Sequence, residues 1–174
     1  QNTTTYYTQN STFKLNLDSL LSTLSDNSRN NLFYNWTAGE AAPDQVYVLF
    51  MCRGDVTNDV CHDCVVTAAD DALVFNFLCP KDKAVNLRYD LCMLRYDNSS
   101  FFSRMDAGLI VFSSYSQNVS NPDGFSEVLG DAMNNLATRV SNNMSNNIIR
   151  DGQMKGFGTN ETKFSSIQNI YSLI

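Results

Sequence analysis

The chain is poor in several things that chemistry or location usually requires. Among 174 residues it has one histidine, one tryptophan and three prolines, and no cysteine after Cys92. Lysine and arginine nowhere form a run, and the net charge is −6. A nucleic-acid surface or a polybasic membrane contact needs clustered cations to displace counterions or meet anionic lipid, so both are excluded as partners. No stretch approaches the roughly twenty consecutive apolar residues of a membrane span. The opening Gln1-Asn2-Thr3-Thr4-Thr5 lacks the charged and apolar regions of a signal peptide. Any secretion signal or membrane anchor is therefore expected outside the chain. The lone His62 has no serine in a nucleophile-elbow context, which argues against a hydrolase. Asp55, Thr57, Asp59 and Asp63 hint at calcium, but the glycine and glutamate that an EF-hand loop demands at its sixth and twelfth positions are missing. No cofactor or metal site is expected.

What is present is a 43% hydrophobic composition, enough for one sizeable core or two small ones. Five cysteines, Cys52, Cys61, Cys64, Cys79 and Cys92, crowd into residues 52–92. Such a cluster means a disulfide framework, a metal site or a redox motif, and the compartment decides between them. Asn-x-Ser/Thr sequons occur at Asn2, Asn10, Asn35, Asn98, Asn118, Asn143 and Asn160. That density points to a secretory route, where thiols are oxidised and N-glycans are attached.

Residues 13–24 place Phe13, Leu17, Leu20, Leu21 and Leu24 on one stripe of a helix, with Ser11 and Thr12 ahead of it to cap the first-turn amides. Phe125, Leu129, Ala132, Met133 and Leu136 repeat the pattern, opened by the turn and cap Asn121-Pro122-Asp123-Gly124. Each helix is followed by a buried-strand pattern, Val46-Tyr47-Val48-Leu49-Phe50 in one case and Ile170-Tyr171-Ser172-Leu173-Ile174 in the other. The sequence thus reads as one complete module, residues 1–112, followed by the cysteine-free front half of a second, residues 113–174. Within the first, residues 57–73 predict a helix with Asn58 as cap and Val60, Cys61, Cys64, Val65, Ala68 and Ala72 on one face. Residues 87–96 alternate as a strand, Leu87, Tyr89, Leu91 and Met93 on one side and Arg88, Asp90, Cys92 and Leu94 on the other. Phe101–Arg104 is expected to pair with it through the Asp97-Asn98-Ser99-Ser100 turn. The expected fold is α+β, an antiparallel β-sheet with two α-helices packed on one face and stapled by disulfides.

Cys52, Cys61 and Cys64 form C-x8-C-x2-C, with the first at a strand end and the other two a helical turn apart. Cys61 and Cys64 reach different partners more easily than each other, so a structural bridge from helix to strand is the leading reading. A thioredoxin-like redox pair at Cys61-His62-Asp63-Cys64 lacks the βαβ context and the reducing compartment. A zinc site would need His62 to share a face with the cysteines, which it does not. The odd fifth cysteine means a free thiol, an intermolecular bridge or a partner outside the chain, the last being the favoured reading. Arg53-Gly54-Asp55 spells an adhesion tripeptide, but Gly54 has a simpler use in turning the chain between strand and helix. Phe33, Tyr34 and Trp36 form an aromatic cluster that either stacks on a sugar ring or fills the core, the core being the expected use.

Four segments together resemble a known family: Asn2-Thr3-Thr4-Thr5-Tyr6, Tyr47-Val48-Leu49-Phe50-Met51-Cys52-Arg53-Gly54-Asp55-Val56, Val60-Cys61-His62-Asp63-Cys64-Val65 and Arg88-Tyr89-Asp90-Leu91-Cys92-Met93-Leu94-Arg95-Tyr96. The sequence is similar to the ginkbilobin-homologous, or stress-antifungal, domain that occurs in tandem in plant cysteine-rich receptor-like kinases. The resemblance implies bridges Cys52 to Cys61 and Cys64 to Cys92, with Cys79 joined to a cysteine upstream of Gln1. It also implies an extracellular, non-enzymatic recognition module on the apoplastic face of the plasma membrane, whose membrane span and kinase lie outside the chain. Its role would be stress or defence signalling through an unknown apoplastic ligand or another receptor ectodomain. The alternatives are a secreted lectin-like antifungal protein or a plasmodesmal membrane protein. The lectin relative's mannose-binding positions correspond to Gln1, Asn86 and Asp97, of which only the acidic one is kept in type, so that site is not carried over.

Overall fold

The computed structural model describes residues 6–74, 81–104, 118–146, 158–165 and 169–173. The chain divides into two compact units; among the described residues the first comprises those up to Phe102 and the second those from Ser103 on.

The first unit opens with α1 (Thr12–Asn27), whose start is set by Ser11 Oγ accepting a hydrogen bond from the Lys14 amide at 3.3 Å. Phe13, Leu17, Leu20, Leu21 and Leu24 are all buried, so the whole periodic stripe faces the core. The helix is followed by β1 (Phe33–Ala38), β2 (Val46–Cys52), α2 (Asn58–Val74), β3 (Val85–Arg88) and β4 (Cys92–Asp97). The strands form one antiparallel sheet in the order β1-β2-β4-β3. Both helices pack against it and against each other, which is the α+β architecture the sequence implies.

Alternation along the strands defines two faces of this sheet. Val46, Val48, Phe50 and Cys52 of β2 and Cys92, Leu94 and Tyr96 of β4 are buried beneath the helices. Tyr47, Leu49 and Met51, and across from them Met93, Arg95 and Asp97, lie on the outer face. Phe101 and Phe102 fold back over one end of that face: Phe102 meets Tyr47 edge-on at 5.6 Å, and the Arg95 guanidinium lies 4.2 Å from the centre of the Phe101 ring.

Four details differ from the sequence expectation. The aromatic cluster belongs to a strand, β1, and Trp36 is 54% exposed rather than in the core, because β1 is the sheet edge. The hairpin is β3–β4, not residues 87–96 paired with Phe101–Arg104. A bend at Asp90 and Leu91 divides the expected long strand, and the Tyr89 amide donates to the Cys92 carbonyl at 2.8 Å. Side-chain parity therefore switches across the bend: Leu87 pairs with Leu94 on the inner side, Arg88 with Met93 on the outer. The cap of α2 is Thr57, not Asn58, since Thr57 Oγ1 accepts from the Val60 amide at 3.4 Å. With the helix so placed, Val60 falls outside its buried face and is 40% exposed, while Cys61, Val65, Ala68 and Ala69 are buried.

The loop from β1 to β2 packs against the start of α1, receives the side chain of Lys83 from the segment before β3, and contains one strained position, Gly39. The Lys83 ammonium is buried, donating to the Pro43 carbonyl at 2.9 Å and standing 4.8 Å from the Phe13 ring centre. Gly39 has φ +87°, and a Cβ there would sit 2.8 Å from Asn16 Nδ2 and 2.9 Å from the Asp44 carbonyl oxygen. That carbonyl already accepts from Asn16 Nδ2 at 2.9 Å, so it is not free to yield.

In the second unit α3 (Pro122–Asn146) packs on a hairpin of β5 (Thr159–Lys163) and β6 (Asn169–Leu173). Asn121 caps α3, its Oδ1 accepting from the Gly124 amide at 3.1 Å, and Pro122 takes the first helical position. Ala132, Leu136 and Ile170 are buried, and Phe125 meets Phe164 edge-on at 5.3 Å. Helix followed by hairpin repeats the α1–β1–β2 order of the first unit.

Gly39→Ala adds both a left-handed penalty and a steric one, and is expected to destabilise the first unit by about 2 kcal/mol. The measurement is a lowered urea midpoint at unchanged slope. An unchanged midpoint would show that the loop relaxes freely.

Candidate functional site

The cysteine chemistry converges on one rung of the sheet. Cys52, at the end of β2, and Cys92, at the start of β4, are direct cross-strand partners. Above them Cys61 and Cys64 stand a turn apart on α2. Cys52 is bonded to Cys61 with an S–S distance of 1.93 Å, and Cys64 to Cys92 at 2.02 Å. The spacing x2 in the motif is thus the helical rise that lets two residues of α2 address two adjacent strands. Cys52, Cys61 and Cys92 are buried and both pairs are oxidised, so this region offers neither a thiolate for redox exchange nor a metal-binding set. Among the described residues no group of His, Cys, Asp and Glu could hold a metal ion. Cys79 lies outside the described residues.

His62 projects away from the two bridges, toward the C-terminus of α1. Its Nδ1 is 2.8 Å from Ser28 Oγ and 3.1 Å from the Ser25 carbonyl. The structure therefore does bring a serine to the histidine, which the sequence did not disclose. Ser28, however, is fully buried and donates its own proton to the Ser25 carbonyl at 2.7 Å. His62 Nδ1 is then the donor to Ser28 Oγ, the reverse of what general-base activation of a nucleophile needs. The pair closes the end of α1, where unpaired carbonyls favour a donor.

Arg53 and Asp55 are paired with each other. Arg53 Nε donates to Asp55 Oδ1 at 3.0 Å and Nη2 to Oδ2 at 2.6 Å, a bidentate fork. This hydrogen bond holds the Asp55 carboxyl below its usual range and raises the Arg53 guanidinium. An adhesion tripeptide presents these groups separately, so Arg53-Gly54-Asp55 is a turn closure. Asp59 and Asp63, the other acids in the calcium comparison, are exposed.

Of the mannose positions, Gln1 lies outside the described residues. Asn86 and Asp97 share the outer face of the sheet, Asn86 directly opposite Arg95 and Asp97 two residues beyond it. Asp97 Oδ1 accepts from the Ser99 amide at 2.9 Å, and Oδ2 lies 3.7 Å from Arg95 Nη2. Asn86 Oδ1 is buried without a hydrogen-bond partner. The acid is thus engaged within the protein, by the Ser99 amide and beside Arg95.

Trp36 stacks on Tyr34 at 6.1 Å with 13° between the rings, and Tyr34 in turn leans on buried Phe50 at 6.5 Å. The sequons are distributed along both units. Asn10 and Asn118 are exposed, Asn35 lies in β1, Asn98 in the bend after β4 and Asn160 in β5. Asn143 lies in α3, and Asn2 is outside the described residues.

Sequence reasoning missed one tether. Tyr89, before the β3–β4 bend, donates its hydroxyl to Asp71 on the last turns of α2. Burial first, and then the hydrogen bond and charge of Asp71, push the Tyr89 phenol up to about 12. An aromatic residue in an alternating strand gives no sign of such a partner, because the bend that turns Tyr89 toward α2 is invisible in the alternation.

Fold and bridges define a disulfide-stapled α+β module in which α2 is anchored to a four-stranded sheet. Residues 1–99 match the salt stress response/antifungal family, and the chain belongs to that family. Cysteine-rich receptor-like protein kinase 25 of Arabidopsis thaliana is 35% identical over 176 residues, covering 98% of this chain and 24% of that protein. Cysteine-rich repeat secretory protein 1 of the same plant is 36% identical over 110 residues, covering 63% of this chain and 31% of that protein. The chain spans about a quarter of the length of the receptor-like kinases it matches. Among solved structures, the tandem DUF26 ectodomain of the Arabidopsis thaliana cysteine-rich receptor-like protein PDLP8 superposes with a TM-score of 0.69 at 27% identity, over 76% of this chain and 63% of that one. The corresponding ectodomain of PDLP5 gives 0.65 at 30% identity, over 77% and 64%. These matches are to ectodomains and secreted cysteine-rich proteins, not to a catalytic domain. Among the described residues no helix is long and apolar enough to cross a membrane.

Two outcomes follow from this geometry. Replacing Cys64 and Cys92 together by serine opens the longer loop, with a sequence separation of 28 against 9 for Cys52–Cys61. It is expected to cost about 3–4 kcal/mol, against about 2.5 kcal/mol for the shorter bridge. Chemical denaturation of the two double variants reads the difference, and a reversed order would contradict the loop-closure account. Tyr89 is expected to ionise near pH 12 in a near-ultraviolet titration. Because its folded-state pKa is raised above the unfolded value of about 10, its contribution to stability is complete below pH 10 and is lost as pH rises through 12. Asp71→Asn should lower the titration midpoint in part, since burial, the larger cause, remains; a midpoint unmoved by that change would dissolve the tether.

Proposed function

We propose that the chain is the extracellular recognition module of a plant cysteine-rich receptor-like kinase, acting in stress or defence signalling by binding another ectodomain or an apoplastic ligand. Residues 1–112 would form its first domain and 113–174 the front half of a second, with membrane span and kinase beyond. The observation that carries this reading is the similarity to receptor-like kinases along 98% of the chain. The bridged cysteines, the capping histidine and the self-paired Arg53–Asp55 are in keeping with a structural, recognition role for this part of the module. The seven sequons and oxidised bridges support an extracellular location. On this reading Cys79 pairs with a cysteine upstream of Gln1.

A secreted protein built on the same domain is the second reading, favoured by the similarity to cysteine-rich repeat secretory protein 1. The coding sequence downstream of Ile174 discriminates between them. A membrane span followed by kinase motifs is the expected result, and a stop codon after the second module would transfer the chain to the secreted class. Titrating the secreted protein with mannose is expected to give no heat of binding. Saturable mannose binding that disappears in Asp97→Ala would replace protein recognition by a lectin activity.

A further inference from the structure

We propose that Asn35 carries an N-linked glycan whose first N-acetylglucosamine lies on the Phe33 ring and forms part of the packed outer face of the sheet. The inference rests on the extracellular reading above. Phe33, Asn35 and Thr37 are alternate residues of β1, so their side chains share one face and stand about 7 Å apart along the strand. Their cross-strand partners are Met51, Leu49 and Tyr47, which assigns all three to the face opposite buried Val48 and Phe50. Trp36, the middle residue of the sequon, points to the other face and does not compete for the space. Among the described residues β1 is the outermost strand of its sheet.

The surroundings suit a sugar. Phe33 is partly exposed, Leu49 is directly opposite Asn35, and Met51 beside Phe33 is one of the exposed large hydrophobic side chains. A pyranose has an apolar C–H face and a polar rim, so laid on Phe33 it removes apolar surface from water while its hydroxyls stay hydrated. Attachment forms a bond from Asn35 Nδ2 to the sugar C1. It breaks the bond between that C1 and the pyrophosphate of a lipid-linked oligosaccharide donor, and the amide nitrogen gives up one proton.

The sequon on the matching hairpin of the second unit makes the contrast. Asn160 and Thr162 face Ser172 and Ile170, both buried, and Asn160 Nδ2 donates to Thr162 Oγ1 at 2.7 Å. The two hairpins carry their sequons one residue out of phase, so the Asn35 amide is directed away from its core and the Asn160 amide toward its own.

The test uses the full chain secreted from plant cells. Glycopeptide mass spectrometry is expected to find Asn35 occupied. Asn35→Gln should lower the melting temperature by about 2–4 °C. Trimming the glycans enzymatically to a single N-acetylglucosamine should leave it unchanged. In a Phe33→Ala background, Asn35→Gln should shift the melting temperature by less than half as much; Phe33→Leu, apolar but without a ring, serves if the alanine variant is not secreted. An unmodified Asn35 beside glycans on other sequons, or an equal shift with and without the Phe33 ring, overturns the proposal while leaving the extracellular reading intact. Absence of glycan at every sequon would defeat both.

Discussion

The first unit depends on a single rung of its sheet, where Cys52 and Cys92 face each other across β2 and β4 and each continues covalently into α2. Main-chain hydrogen bonds fix the two strands, and the two bridges then fix one turn of helix above them. The helix can neither slide along the sheet nor rotate on its axis, because either motion would have to stretch both bridges in different directions. This anchorage lets a small core suffice. α2 contributes Val65, Ala68 and Ala69 to it, small side chains that on their own would hold a helix weakly. The large side chains come from the other side, Phe13 and the leucines of α1 and Phe50, Leu94 and Tyr96 of the sheet.

How much of this could be read from the residues follows from which signals are local. The stripe of α1, the caps at Ser11 and Asn121 and the core strand Val46–Phe50 were legible because each depends on a few neighbouring residues. Edge strand β1 was hidden by its mixed composition: with both a core-side and a solvent-side aromatic, it shows no alternation of hydropathy. The β3–β4 hairpin was misplaced because Asp90 and Leu91 supply a bend without glycine or proline, the residues that mark one. Buried Lys83 was also invisible, since a lysine signals surface until the carbonyl and ring that receive it are placed in space.

For the site, the cysteine spacing was informative and the isolated polar residues were not. C-x8-C-x2-C carries geometry, a strand end followed by one helical turn, whereas His62, Arg53 and Asp55 carry only chemical capacity. Which capacity is spent internally depends on partners such as Ser28 and on the close pairing of Arg53 with Asp55, and neither is a matter of sequence distance alone. The chain's own hydrogen bonds thus convert three suggestive motifs into structural fittings.

The order of the bridges along the chain has a consequence for biosynthesis. The loops from Cys52 to Cys61 and from Cys64 to Cys92 follow one another without overlapping. A chain emerging into an oxidising lumen can therefore close the first as soon as α2 has begun, and no later bond must pass through it. Cys64 meanwhile waits for β4 to be delivered. During that interval Cys64 stays without its partner until the 28-residue stretch that ends at Cys92 has been made.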